Sequence, residues 1–130
     1  MTSSSLLENQ LAWDVWQASL QIHKALGPGL LESAYEECLY YELVQMGLKV
    51  DRQKGLPLIY KEVKMAVGYR ADLLVEDKLI VEIKAKEALT PVDMAQVITY
   101  LKLSGCKLGL LINFNVALIK DGFKRVVLGL

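Results

Sequence analysis

Asp72, Glu82 and Lys84 are the residues of this chain best suited, by type and spacing, to do chemistry. They lie in Tyr69-Arg-Ala-Asp72-Leu-Leu-Val-Glu-Asp-Lys-Leu-Ile-Val-Glu82-Ile-Lys84, two apolar stretches joined by a short polar one. Charge set among strand-forming apolar residues is costly unless it is paired or holds a metal. Mg²⁺ takes oxygen ligands at about 2.0–2.1 Å and keeps several waters, so one or two carboxylates plus a substrate phosphate suffice. Asp72 and Glu82, with the main-chain carbonyl of Ile83, could supply those oxygens. Lys84 could position an attacking water and balance charge on phosphate. That is the chemistry of phosphodiester hydrolysis with Mg²⁺ or Mn²⁺. The competing reading is a surface ion pair of Lys84 with Asp72 or Glu82 on a solvated sheet face.

Strand geometry brings the three together. Side chains alternate along a strand, and directly opposed residues of an antiparallel pair point the same way. With Glu76-Asp77-Lys78 as a three-residue loop, Val75 faces Leu79, Leu73 faces Val81 and Ala71 faces Ile83. One face then carries Tyr69, Ala71, Leu73, Val75, Leu79, Val81, Ile83 and Ala85 without a charge. The other carries Arg70, Asp72, Leu74, Ile80, Glu82 and Lys84, with Asp72 across from Glu82. A two-residue loop would mix charge into the apolar face. Leu74 and Ile80 beside the charges call for cover by a helix, which a solvated face would not need.

The elements around this hairpin follow from periodicity and punctuation. Leu11, Val15, Ala18, Ile22, Ala25 and Leu26 recur at helical spacing, predicting a helix over 7–26 that Gly27-Pro28-Gly29 stops. A second helix is expected over 30–46, with Gly47 past its end. Strands are expected over 48–53 and 56–61, turning at Lys54-Gly55, with Pro57 favouring a sheet edge. Further strands follow over 63–75 and 79–86. Thr90-Pro91-Val92-Asp93 opens a helix to Ser104, and strands over 107–114 and 124–128 close the chain. The expected class is α/β, a mixed sheet with helices, in one domain spanning 1–130.

Helix positions supply further candidates. Glu32 falls in register with Tyr35, Leu39, Leu43 and Met46 at the N-terminal end of an apolar stripe. Favourable interaction with the positive helix end would equally account for it. Gln96 and Tyr100, four apart, share one face of the third helix and could hold a water or phosphate oxygen near the sheet; as partly exposed helix residues they would do neither. His23 borders the first helix's apolar stripe and is more simply a packed residue than a ligand. Trp13 and Trp16 read as core or dimer contacts, leaving a homodimer open.

Bulk properties set the frame. The 130 residues are 53% hydrophobic and 23% charged, which suits a folded domain with a single core. Net charge is zero, but residues 1–50 hold two lysines against six acids, and residues 94–130 hold five basic residues against one acid. That basic C-terminal part could contact phosphates, or be ordinary solvated surface. No apolar run approaches the roughly 20 residues needed to cross a bilayer. Met1-Thr-Ser-Ser-Ser-Leu-Leu7 lacks the basic-then-apolar pattern of an export signal. Cys38 and Cys106 have no paired spacing, as expected of reduced thiols in a cytoplasmic protein.

Asp72 … Glu82-x-Lys84 resembles the signature of the PD-(D/E)XK nuclease superfamily. The likeness is closer to one branch, the small bacterial and archaeal GxxExxY proteins, whose name motif stands here as Gly29-Leu-Leu-Glu32-Ser-Ala-Tyr35. His23-Lys-Ala-Leu-Gly-Pro-Gly-Leu30, Leu110-Leu-Ile-Asn-Phe114 and Phe123-Lys-Arg-Val-Val127 are similar to that branch's other blocks, so the likeness spans nearly the whole chain. It implies a restriction-endonuclease-like core of helix, strand meander, helix and strand, here with an extra N-terminal helix. It further implies Asp72 and Glu82 as metal ligands, Lys84 as the catalytic lysine, Glu32 as a helix-borne acid and Gln96 as the glutamine of the following helix. His23, Tyr35, Arg70 and Tyr100 would stand around them. Ala71 replaces the proline that often precedes the aspartate. The function implied is metal-dependent cleavage of nucleic acid, most simply DNA. The alternatives are a silent nuclease-fold binding or scaffold module, and hydrolysis of a small phosphodiester.

Overall fold

The computed structural model describes residues 3–130, with side chains from Leu7 onward. Met1 and Thr2, the start of the segment read for an export signal, lie outside the described residues. The elements are α1 (Ser3–Leu26), α2 (Glu32–Gln45), β1 (Val50–Tyr60), β2 (Val63–Val75), β3 (Leu79–Lys84), α3 (Pro91–Ser104), β4 (Leu108–Asn113), a 3₁₀ turn at Ile119–Asp121 and β5 (Phe123–Val127). The strands form one sheet in chain order. It is antiparallel except for the parallel β3–β4 pair at its centre, which α3 connects. This is the expected mixed α/β architecture: a strand meander flanked by helices, with α1 added at the N-terminus. No described helix is long and apolar enough to cross a membrane.

The sheet is buried on both faces where the chemistry-bearing strands run. On one face, Leu73, Val75, Leu79, Val81 and Ile83 pack with Leu11, Val15, Ala18 and Ile22 of α1 and Tyr35, Leu39 and Leu43 of α2. On the other, Leu74, Ile80 and Leu111 pack with Val97, Tyr100 and Leu101 of α3. The cover inferred for Leu74 and Ile80 is therefore α3. Ala25 and Leu26, expected in the α1 stripe, are exposed, and so is Trp13, whereas Trp16 packs edge-on against Phe123.

The helix ends follow local rules. Thr90 caps α3 in a capping box, its hydroxyl accepting from Asp93 N–H while the Asp93 carboxylate accepts from Thr90 N–H. Past α2, Gly47 at φ 82° closes a Schellman motif, with Gly47 N–H donating to Val44 O and Leu48 N–H to Leu43 O.

The first hairpin differs from expectation. Residues 48–61 do not form two strands turning at Lys54-Gly55; β1 runs unbroken to Tyr60, and the turn is Lys61-Glu62, at φ 49° and 67°. Two successive residues with positive φ normally require Asn or Gly, so Lys-Glu gave no turn signal. Pro57 does sit on an edge strand, as expected. The ladder shifts there, from Leu56↔Tyr69 to Leu58↔Met65, so Ala66-Val67-Gly68 bulge opposite a residue with no N–H to offer.

The close seating of α3 on the sheet depends on one glycine. A Cβ added at Gly109 of β4 would lie 2.7 Å from Val97 Cγ1 and 3.4 Å from Leu101 Cδ2. Gly109→Ala is expected to lower stability by roughly 1–3 kcal/mol through overpacking, measurable by urea denaturation, and to displace α3 from the sheet.

Candidate active site

β2 and β3 pair as the three-residue loop requires, Val75↔Leu79, Leu74↔Ile80 and Leu73↔Val81. Beyond Leu73 the ladder stops and side chains take over. Asp72 N–H donates to Glu82 Oε1 at 2.8 Å, and Ile83 N–H donates to Asp72 Oδ2 at 2.8 Å. Each carboxylate thus occupies the place of a ladder partner on the opposite strand. Hydrogen bonds of this charge-assisted kind each contribute on the order of 1.5–3 kcal/mol. Successive strand residues turn their backbone groups to opposite edges. Lys84 O accepts from Phe114 N–H beside β4, so the Ile83 carbonyl faces the β2 edge, beside Asp72.

The parting of the strands also resets the alternation. Tyr69 and Ala71, expected on the face of Leu73, lie on the α3 face instead. Ala71 is buried with Leu56 and Tyr100, and Tyr69 stands edge-on to Tyr100 at 6.5 Å. The break falls at Gln53 and Asp72, which form no ladder pair between Arg52↔Leu73 and Lys54↔Ala71. Gln53 is held at φ 50°, an uncommon conformation for a non-glycine residue. Its amide donates to Asp72 Oδ1 at 3.2 Å and to Glu36 Oε1 at 2.7 Å, bridging two carboxylates.

From the α2 side comes Glu32. Gly29 at φ 101° turns the chain before the helix, and Tyr35, fully buried and stacked on Phe114 at 4.5 Å, fastens the turn. Its hydroxyl donates to Gly27 O at 2.6 Å and accepts from Leu30 N–H at 3.1 Å. The Gly29-x-x-Glu32-x-x-Tyr35 block is therefore one mechanical unit, in which the tyrosine fixes the loop that presents the glutamate. Glu32 as a residue is open to solvent, but its carboxyl leans over the sheet within reach of the Ala85 amide.

From the α3 side come Gln96 and Tyr100. Lys84 Nζ donates to Gln96 Oε1 at 3.1 Å and stands 3.9 Å from Glu82 Oε2. Tyr100 is buried rather than partly exposed. The segment between β3 and α3 is clamped by buried Asn113, which accepts from Lys86 N–H at 3.1 Å and donates to Lys86 O at 2.9 Å.

The cluster holds more negative charge than its one lysine balances. Burial first, and then the Asp72 carboxylate, push Glu82 up to about 8, outweighing the Asp72 N–H and Lys84. Burial also raises Glu32; Lys84 opposes the rise, and Asp72 and Glu36 add to it. An acid present only to complement a helix N-terminus would ionise more readily, not less. Tyr100 is raised by burial and then by Glu82 and Asp72.

Comparison with protein families matches residues 9–126 to the PD-(D/E)XK nuclease superfamily. The chain belongs to that superfamily. The comparisons with curated proteins and with solved structures each found no match. PD-(D/E)XK nucleases generally use divalent metal ions and act on nucleic acid.

The donor set of this PD-(D/E)XK chain suits such an ion. Among the described residues no three His, Cys, Asp or Glu side chains already form a closed cage. Yet Asp72 and Glu82 each spend one oxygen on a backbone amide, and their second oxygens meet only the Gln53 amide at 3.2 Å and Lys84 Nζ at 3.9 Å. Mg²⁺ needs only one or two carboxylates with water and phosphate. Surplus negative charge points the same way, since a cation would relieve it.

Not every candidate reaches the cluster. His23 is packed, its Nε2 on Val116 O at 2.8 Å. Arg70 is exposed on β2, and its side chain makes no ion pair among the described residues. Tyr35 acts on the loop before Glu32. Three residues beside the site went unnoticed in the sequence: Glu36, Gln53 and Asn113. Glu36 was within reach, being one helical turn from Glu32. Gln53 was hidden by the misplaced turn, and Asn113, though inside the Leu110–Phe114 block, carries no local signal of its clamp on Lys86.

Glu82 carries a pH signature. Its folded-state value lies above the ordinary 4.5, so folding favours the neutral form and stability falls as pH rises between the two values. In metal-free buffer, urea denaturation is expected to give a stability lower by on the order of 3 kcal/mol at about pH 8.5 than at about pH 5. Glu82→Gln should flatten that dependence.

Proposed function

We propose that this protein is a Mg²⁺- or Mn²⁺-dependent nuclease of the GxxExxY branch that hydrolyses phosphodiester bonds in DNA. The observation that carries the reading is the crossed pair of hydrogen bonds that sets Asp72 beside Glu82 where β2 and β3 part, with Lys84 3.9 Å from Glu82. Asp72, Glu82 and the Ile83 carbonyl would hold the ion, with Glu32 completing the site from α2. When bound, the ion supplies Lewis acidity to the phosphoryl group and acidifies a bound water.

The chain's own residues do the rest. Lys84, steered by Gln96, aims its ammonium at the attacking water and at the charge that grows on the non-bridging phosphate oxygens. Glu32, with its raised carboxyl, takes the proton that the water loses. Attack of water oxygen on phosphorus breaks the bond to the 3′ oxygen, leaving 5′-phosphate and 3′-hydroxyl ends. Tyr100 walls off the α3 side. The unpaired thiols Cys38 and Cys106 suit a reducing, cytoplasmic setting.

Plasmid and oligonucleotide cleavage with Mg²⁺ or Mn²⁺ tests this. Asp72→Asn and Lys84→Met should each lose at least about a hundredfold in rate, with circular dichroism confirming that they fold. Cleavage that survives both substitutions, or that is indifferent to chelation, would overturn the assignment.

A further inference from the structure

We propose that the cleft on the β1–β2 hairpin is the substrate track of this site and holds a single strand of DNA. This rests on the nuclease reading above, and it names the form of substrate and the residues that grip it. The ladder shift at Pro57 and the bulge of Ala66-Val67-Gly68 open a hollow of about 430 Å³ in the outer half of the hairpin. A hollow of that size holds a nucleotide or two. Gln53 lies in its wall while bonding Asp72 Oδ1, so the hollow ends one side chain from the acidic cluster.

Its lining matches a nucleic acid strand. In a chain of zero net charge, residues 54–70 hold Lys54, Lys61, Lys64 and Arg70 against Glu62 alone. Lys64 and Arg70 line the cleft, and among the described residues neither is within ion-pair distance of a carboxylate. Such cations suit backbone phosphates. Tyr69, 38% exposed and braced edge-on by Tyr100, offers a ring on which a base can stack. Leu56, Pro57 and Val67 make the remaining wall apolar, which suits deoxyribose better than a sugar with a 2′-hydroxyl to satisfy. A second copy of the chain is the poorer occupant. Pro57 and the unpaired lysines are features that discourage edge-to-edge strand pairing along β1.

Fluorescence anisotropy with a labelled twelve-residue oligo-dT in EDTA tests the track without catalysis. Lys64→Ala and Arg70→Ala should each raise Kd about tenfold and make the salt dependence shallower by about 0.7 in log–log slope, the loss of one phosphate contact. Tyr69→Ala should weaken binding similarly without changing that slope. The matching duplex and RNA should bind at least tenfold more weakly to the wild type. Unchanged Kd in the two charge variants, equal binding of duplex or RNA, or light scattering in which these variants split a dimer would each overturn the proposal. Turnover of bis(p-nitrophenyl) phosphate by the wild type with Mn²⁺ reports on the catalytic centre alone, so failure of the track and failure of the nuclease reading are told apart.

Discussion

The crossed pair of hydrogen bonds between Asp72 and the Glu82–Ile83 segment is the constraint on which the site depends. In an ordinary hairpin the backbone groups at this level would bond one another and the side chains would be free to swing. Here the strands separate, and each carboxylate substitutes for the missing partner. The exchange holds both acids in place, one oxygen of each on the backbone and the other beside Gln53 or Lys84. It also buries Glu82 next to a second carboxylate, and burial first, then Asp72, shows in its raised value. An arrangement that only stabilised the fold would gain little from such crowding, because buried carboxylates are costly without full compensation. A cation-binding centre gains from it directly.

The layers of the fold divide the work of positioning. The central strands are buried on both faces, so the level of Asp72 relative to Glu82 cannot slip without exposing a whole apolar face. On one side the Tyr35 clamp delivers Glu32 from the start of α2. On the other, α3 is capped by Thr90 and Asp93, seated close at Gly109, and delivers Gln96 to Lys84. Residues far from the cluster thereby set its geometry. His23 belongs among them, tying the end of α1 to the loop after β4.

Much of this was legible in the sequence, and its limits have physical causes. The parity of Leu73, Val75, Leu79 and Val81 dictated an odd-numbered loop because buried faces tolerate no charge, and the register follows it. Thr90-Pro91-Val92-Asp93 announced α3 through chemistry local to four residues. The hairpin turn at Lys61-Glu62 was invisible because tertiary context holds two ordinary residues at positive φ. Alternation failed at Tyr69 and Ala71 because it presumes an unbroken ladder, and the ladder breaks at Asp72, whose carboxylate bonds across to β3. Gln53 and Asn113 were unreadable for a related reason: each acts through a contact more than fifteen residues away, which no local pattern encodes.

Calorimetric titration of the folded protein with Mn²⁺ tests most directly whether the paired acids form a cation site. The wild type should bind one ion per chain, while Asp72→Asn and Glu82→Gln, folded by circular dichroism, should show no saturable heat. Binding that persists in both variants, or a wild type with no binding at all, would contradict the account.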